Sequence, residues 1–177
     1  LHKALEIERA TLDDNHPYLA IRLNHLGTIY RNQSRYGEAD SVLSHAVQIT
    51  RSALGDAHPW LGIFLQNHGR VHIEWSNAGI AESILRESFD IHRHVYPEGD
   101  WRTAEAGAWL GKALSHLGRY EEAEPLILES LRAFEQHWGL HDQRTHAALE
   151  KVVSLYQEWG RADEAEHYGN LFIDSTP

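Results

Sequence analysis

No cysteine occurs anywhere in the 177 residues, which excludes disulfides, thiolate-bound zinc and a cysteine nucleophile. That absence does not identify a compartment, because reducing and oxidising locations both tolerate a cysteine-free domain. No run of eighteen apolar residues exists either, so no segment reads as a membrane span. Basic residues are scarce: 16 Lys and Arg stand against 26 Asp and Glu, a formal net charge of −10. A general nucleic-acid binder needs a basic footprint to displace counterions, so that class is set aside. The opening Leu1-His2-Lys3-Ala4-Leu5 has neither an initiator methionine nor a signal-peptide pattern. The expectation is a piece of a longer, cytoplasmic protein.

Catalytic signatures are missing too. Gly111-Lys112-Ala113 lacks the glycine-rich loop and the hydroxyl of a phosphate-binding motif. No serine sits in a nucleophile-elbow context. Glu121, Glu122 and Glu124 open a helix, where carboxylates suit the positive end of the dipole. The reading is a protein that is not an enzyme and that carries no cofactor.

What the chain does have is a period of 42 residues. Ala39, Ala81, Ala123 and Ala165 fall at that interval, as do Gly27, Gly69 and Gly111, with Val153 in the fourth place. Leu23, Leu65 and Leu149 share a register, and so do Leu43, Leu85 and Ile127. Ser34-Arg35-Tyr36-Gly37-Glu38-Ala39 is nearly copied as Gly118-Arg119-Tyr120-Glu121-Glu122-Ala123. Such self-similarity is the signature of a repeat architecture.

Each period reads as two helices. Pro17 and Pro59 stand where a missing N–H costs least, at a helix start, and Asp100 and Asp142 are N-caps at the equivalent places. First helices are expected over 17–32, 59–75, 101–117 and 143–159, second helices over 37–53, 79–95, 121–137 and 162–173. Glycine and alanine let the two axes of a hairpin approach closely. One hairpin cannot bury its apolar stripe alone, so neighbours stack into a solenoid. The whole of 1–177 is therefore one domain: 1–14 as the second helix of a preceding repeat, repeats over 15–57, 58–99 and 100–141, and an atypical capping repeat over 142–177.

Leu23-Asn24-His25-Leu26-Gly27, Tyr30 and Tyr36-Gly37-Glu38-Ala39, closed by Leu54-Gly55-Asp56-Ala57-His58-Pro59, resemble the tetratricopeptide repeat, in its 42-residue kinesin-light-chain variety. The stretch from Asp142 to Ala165, with Tyr96-Pro97-Glu98-Gly99-Asp100-Trp101-Arg102, is similar to the C-terminal repeats of bacterial serine/threonine protein kinases. The resemblance implies an all-α, right-handed superhelical solenoid of antiparallel helix pairs. Its concave groove, lined by first helices, would receive a peptide or helix of a partner protein. Carried over residue by residue, the groove falls on Asn24, Thr28, Arg31, Gln66, Arg70, Ile73, Lys112 and Ser115, with Trp109 beside it; Glu105, Ala108, Glu150, Ser154 and Gln157 occupy the matching positions of the last two copies. Asn24 matches the family's peptide-backbone-binding asparagine, whereas Ala108 and Glu150 depart from it. The alternative is a regulatory or homo-oligomerising segment of a larger protein such as a kinase.

Charge offers an independent reading. The first helices hold seven basic residues (Arg22, Arg31, Arg70, Arg102, Lys112, Arg144, Lys151) and four acidic ones (Glu74, Glu105, Glu150, Glu158), a net +3 that leaves −13 to the rest of the chain. Arg31, Arg70 and Lys112 are then expected to pair with carboxylates of an acidic ligand. His68 and His72 have the i, i+4 spacing of two metal ligands. No third ligand is evident nearby in the sequence, so they read as core histidines and no metal is expected. Trp75 and Trp159 are expected to pack the hairpin turns.

Overall fold

The computed structural model describes residues 16–174, so the segment 1–14, expected to be a helix, lies outside the described residues. Among the described residues eight helices follow one another: α1 Pro17–Asn32, α2 Tyr36–Leu54, α3 Pro59–Glu74, α4 Ala78–Val95, α5 Trp101–His116, α6 Tyr120–Trp138, α7 Gln143–Trp159 and α8 Ala162–Asp174. Their bounds lie within one residue of the expected ones, and no strand is found among the described residues. No described helix is long and apolar enough to cross a membrane.

Every first helix starts in the same way. Asp100 and Asp142 accept from the backbone N–H groups of Arg102 and Arg144, at 2.9 and 2.8 Å. In the first two hairpins the cap is a histidine, because His16 Nδ1 accepts from Tyr18 N at 3.2 Å and His58 Nδ1 from Trp60 N at 3.1 Å. Each cap satisfies one of the amide groups that a helix start leaves without an intrahelical partner. Proline follows the histidine caps at the first helical position, where its missing N–H costs nothing.

The glycine column marks the closest approach within each hairpin. A Cβ on Gly27 would stand 2.4 Å from Leu43 Cγ, one on Gly69 2.4 Å from Leu85 Cγ, and one on Gly111 2.7 Å from Ile127 Cγ1. All three facing side chains are fully buried, so they cannot swing aside, and the reason for glycine is steric. Successive helices pack on one another down the chain, and the first helices of consecutive hairpins also touch: α1 with α3, α3 with α5, α5 with α7. The apolar core therefore runs along the array, with Leu43, Leu61, Leu85, Leu110, Ile127 and Leu155 among its fully buried residues.

Ring contacts hold two of the three seams between hairpins. Trp75, just after α3, lies over Tyr36 at the start of α2, with ring centroids 6.5 Å apart. Trp159 at the end of α7 stacks in the same way on Tyr120 at the start of α6, at 5.5 Å. Both tryptophans thus pack a hairpin turn onto the preceding hairpin.

Candidate functional site

The residues expected to line the groove fall into two groups. Several are closed in between consecutive first helices. Asn24 is buried, its side-chain oxygen accepting from Asn67 Nδ2 at 2.9 Å, and Thr28 donates to the Asn24 carbonyl at 3.1 Å. Gln66 and Ser115 are buried, and Ile73 joins the apolar core. Arg31 is buried as well, donates to Asn32 and stands 3.5 Å from Glu74, so its charge is already met within the chain.

Arg70, Trp109 and Lys112, with Glu150 and Ser154, surround an open recess of about 410 Å³ that Ala147 and Lys151 also line. Its wall comes from α3, α5 and α7 in turn, the first helices of three consecutive hairpins. Trp109 forms the centre: the Arg70 guanidinium lies 4.2 Å from its ring centroid, and Lys151 Nζ lies 4.8 Å from it. The ring faces attract both cations.

The three cations of this recess differ in what already holds them. Lys112 Nζ donates to Ser154 Oγ and Glu158 Oε1, both at 2.8 Å, and Ser115 Oγ donates to the other oxygen of Glu158 at 2.5 Å. The pairing expected of Lys112 with a ligand is thus met by the chain's own Glu158. Arg70, by contrast, makes no hydrogen bond or ion pair among the described residues, and its Nε is buried without a partner. Lys151 donates only to the Ala147 carbonyl, at 3.1 Å, and has no carboxylate within ion-pair distance. Burial pulls the Arg70 guanidinium down to about 10, with the nearby Arg31 cation adding to the fall. Burial also lowers the Lys151 ammonium. Glu105 offsets part of both shifts through space without forming an ion pair with either group. Both groups are therefore cations held in a half-dry place without a carboxylate in direct contact. Of the expected trio, Arg31 and Lys112 pair with Glu74 and Glu158, and the recess cations without an ion pair are Arg70 and Lys151. No pattern in the sequence separated Lys151 from Lys112, because what distinguishes them is Glu158, forty-six residues beyond Lys112.

His68 and His72 are core histidines as expected, and a second constellation adds the carboxylate that the sequence did not show. The carboxylate thought to be lacking is Asp40, on α2, whose Oδ1 stands 2.6 Å from His68 Nε2 and 3.0 Å from His72 Nε2. Both rings are buried, and Asp40 is partly exposed. The signal that could have found it is the 42-residue column itself: Asp40, Glu82 and Glu124 are all acidic, and each faces the next hairpin. A recess of about 530 Å³ beside α4, lined by Asp56, Arg86, Glu87, Asp90 and others, involves no first helix and none of the expected groove residues.

Comparison with known proteins settles the fold's lineage. Tetratricopeptide repeat models match residues 23–94 and 103–144, together well over half of the chain. The chain belongs to the tetratricopeptide repeat family. Among solved structures, a Podosopora anserina protein named as a kinesin light chain with nearly identical TPR-like repeats is similar, with a TM-score of 0.79 at 18% identity over 97% of this chain and 82% of that one. BtubC (BKLC) from P. vanneervenii gives 0.75 at 17% identity, over 90% and 63%. Pseudomonas aeruginosa pilF gives 0.56 at 19%, over 85% and 58%. No curated protein sequence matches. The architecture is the all-α, right-handed superhelical solenoid of antiparallel helix pairs, and tetratricopeptide repeats are in general protein–protein interaction scaffolds.

Proposed function

We propose that this tetratricopeptide repeat array binds an acidic segment of a partner protein in the recess formed by α3, α5 and α7. A ligand carboxylate is held there by Arg70 and Lys151, and an apolar part of the ligand rests by Trp109. The observation that carries this reading is the pair of half-buried cations flanking one indole ring with no carboxylate of the chain in ion-pair contact with either. Desolvated charge is costly unless paired, and an incoming carboxylate removes that cost by forming charge-assisted hydrogen bonds. A ring between two cations also suits a segment that carries acidic and apolar residues side by side. Glu150 at the rim and Glu105 nearby work against a ligand of high negative charge, which favours one or two carboxylates over a polyanion.

The test is fluorescence anisotropy with a labelled peptide alternating Asp and Leu, and with its Asn counterpart. The acidic peptide binds, the Asn version at least tenfold more weakly, a difference of about 1.4 kcal/mol. Arg70→Gln and Lys151→Gln each weaken binding of the acidic peptide and leave the helical circular dichroism unchanged. Equal affinity for both peptides, or unchanged affinity in the double variant, overturns the reading.

A further inference from the structure

Asp40 differs from its equivalents in what neutralises it. In the next seam, Glu82 meets Arg119 at 2.8 Å, and in the one after, Glu124 stands 3.8 Å from Arg161. Arg119 and Arg161 each lie 37 residues beyond their acid, and the residue 37 beyond Asp40 is Asn77. The equivalent arginine is therefore missing beside Asp40, and two imidazoles take its place. They stand in core columns that are otherwise filled by Leu26, Leu110 and Val152, or by Tyr30, Leu114 and Tyr156.

We infer that Asp40, His68 and His72 form a binding site for a divalent transition-metal ion of the zinc class, ligated through Oδ1 and the two Nε2 atoms. The three donor atoms lie within 4.8 Å of one another. In a tetrahedral site with bonds of about 2.0–2.1 Å, neighbouring donors stand roughly 3.3 Å apart. The two contacts of Asp40, at 2.6 and 3.0 Å, lie close to that value, and its side chain, 37% exposed, stands at the open edge of the trio. The rings are pre-positioned: both sit on one face of α3, 5.1 Å apart, and His72 packs on Trp75 at 6.0 Å. His72 Nδ1 is buried without a partner, so Nε2 is the nitrogen through which that ring interacts. Two imidazoles and one carboxylate select Zn(II), Cu(II), Ni(II) or Co(II) over Mg(II) and Ca(II), which prefer all-oxygen shells. The fourth position opens toward the exposed side of Asp40 and takes a water. With ligands from α2 and α3, the ion ties the first hairpin to the second and supplies the positive charge that Arg119 and Arg161 supply elsewhere.

Tag-free protein, stripped with a chelator, is titrated with ZnCl2 by calorimetry and with CoCl2 by visible absorption. One Zn(II) binds per chain, and Co(II) develops the intense absorption of a four-coordinate ion. His68→Leu and His72→Tyr place at these positions the residues that the same columns hold in the first hairpin, so the fold is retained, as the melting curve checks. Both variants, and Asp40→Asn, weaken the site at least tenfold. Zn(II) bound with wild-type stoichiometry and affinity by the variants means adventitious surface histidines and overturns the assignment. So does a wild-type chain that takes up no Zn(II) while Asp40→Asn still lowers its melting temperature, since the trio is then a hydrogen-bonded cluster only.

Discussion

The Lys112 ammonium and the Glu158 carboxylate stand 2.8 Å apart, joining α5 to α7 beside the recess. Glu158 also accepts from Ser115 and Ser154, so one carboxylate collects three donors from two consecutive hairpins. Hydrogen bonding to these groups, Lys112 and Ser115 foremost, holds its pKa below the usual glutamate range against the opposing effect of burial.

Glu158→Gln keeps the shape and removes the charge. Both partners are still partly solvated, so the loss is modest, about 1 kcal/mol after allowing for screening. At this chain length that lowers the melting midpoint by roughly 2–4 °C. Lys112 is simultaneously released to the recess, and affinity for an acidic peptide should rise a few-fold. Calorimetric melting and anisotropy check the two effects separately, and an affinity that falls with the stability contradicts the assignment.

Two glycine-to-alanine changes should move stability in opposite directions. At Gly69 the new methyl group meets Leu85 Cγ at 2.4 Å, and overpacking of about 1–3 kcal/mol exceeds the gain of about 1 kcal/mol in helix propensity. At Gly79, in the first turn of α4, nothing lies within 4 Å of the added Cβ. Gly79→Ala should therefore stabilise by about 0.4–1 kcal/mol. Urea denaturation distinguishes them; two shifts of the same sign would contradict the close approach.

Stability should fall on mild acidification because of His92. This ring is buried on α4, and its Nδ1 donates to the Ser88 carbonyl at 2.8 Å. Burial lowers its pKa and the Arg102 cation adds to the fall, while the hydrogen bond to Ser88 and the Glu105 and Asp100 carboxylates oppose it with smaller effects. The unfolded chain takes up this proton near pH 6.5 and the folded chain at a lower pH, so the unfolded state binds more protons in between. The contribution is complete above about pH 6.5 and is lost as pH falls from there through the depressed folded value. His92→Gln, which keeps a donor for Ser88, should flatten the melting-temperature profile between pH 7.5 and 5; parallel profiles would locate the effect elsewhere.

The histidine cap can be tested by exchange with the chain's other solution. His58→Ala removes the acceptor facing Trp60 N and should cost about 0.5–2 kcal/mol. His58→Asp installs the cap used at Asp100 and Asp142, adds a favourable charge at the positive helix end, and should restore the loss in full. Thermal melts of the pair decide it.

Much of the fold could be read from residue spacing, because the forces involved act within one hairpin. Pro17 and Pro59 mark helix starts by their own covalent geometry, and Gly27, Gly69 and Gly111 mark close crossings because only a missing Cβ fits there. The candidate site was less legible for the opposite reason. Whether Lys112 or Lys151 keeps an unmet charge depends on Glu158, and whether His68 meets a carboxylate depends on Asp40, 28 residues earlier on another hairpin. Such pairings depend on how hairpins sit side by side, and local patterns do not encode that distance. The histidine caps at His16 and His58 were within reach, since they share a column with Asp100 and Asp142.

The tryptophan clasps carry a consequence for how such an array can be lengthened. Tyr36 with Trp75 and Tyr120 with Trp159 close alternate seams, whereas the same columns at the middle seam hold Ala78 and Leu117. Two kinds of joint thus alternate, and the unit that translates onto itself is a pair of hairpins. Splicing in a duplicate of a single hairpin would set a tryptophan against an alanine or leave a tyrosine unmatched, whereas duplicating two adjacent hairpins would keep the alternation of clasped and unclasped joints.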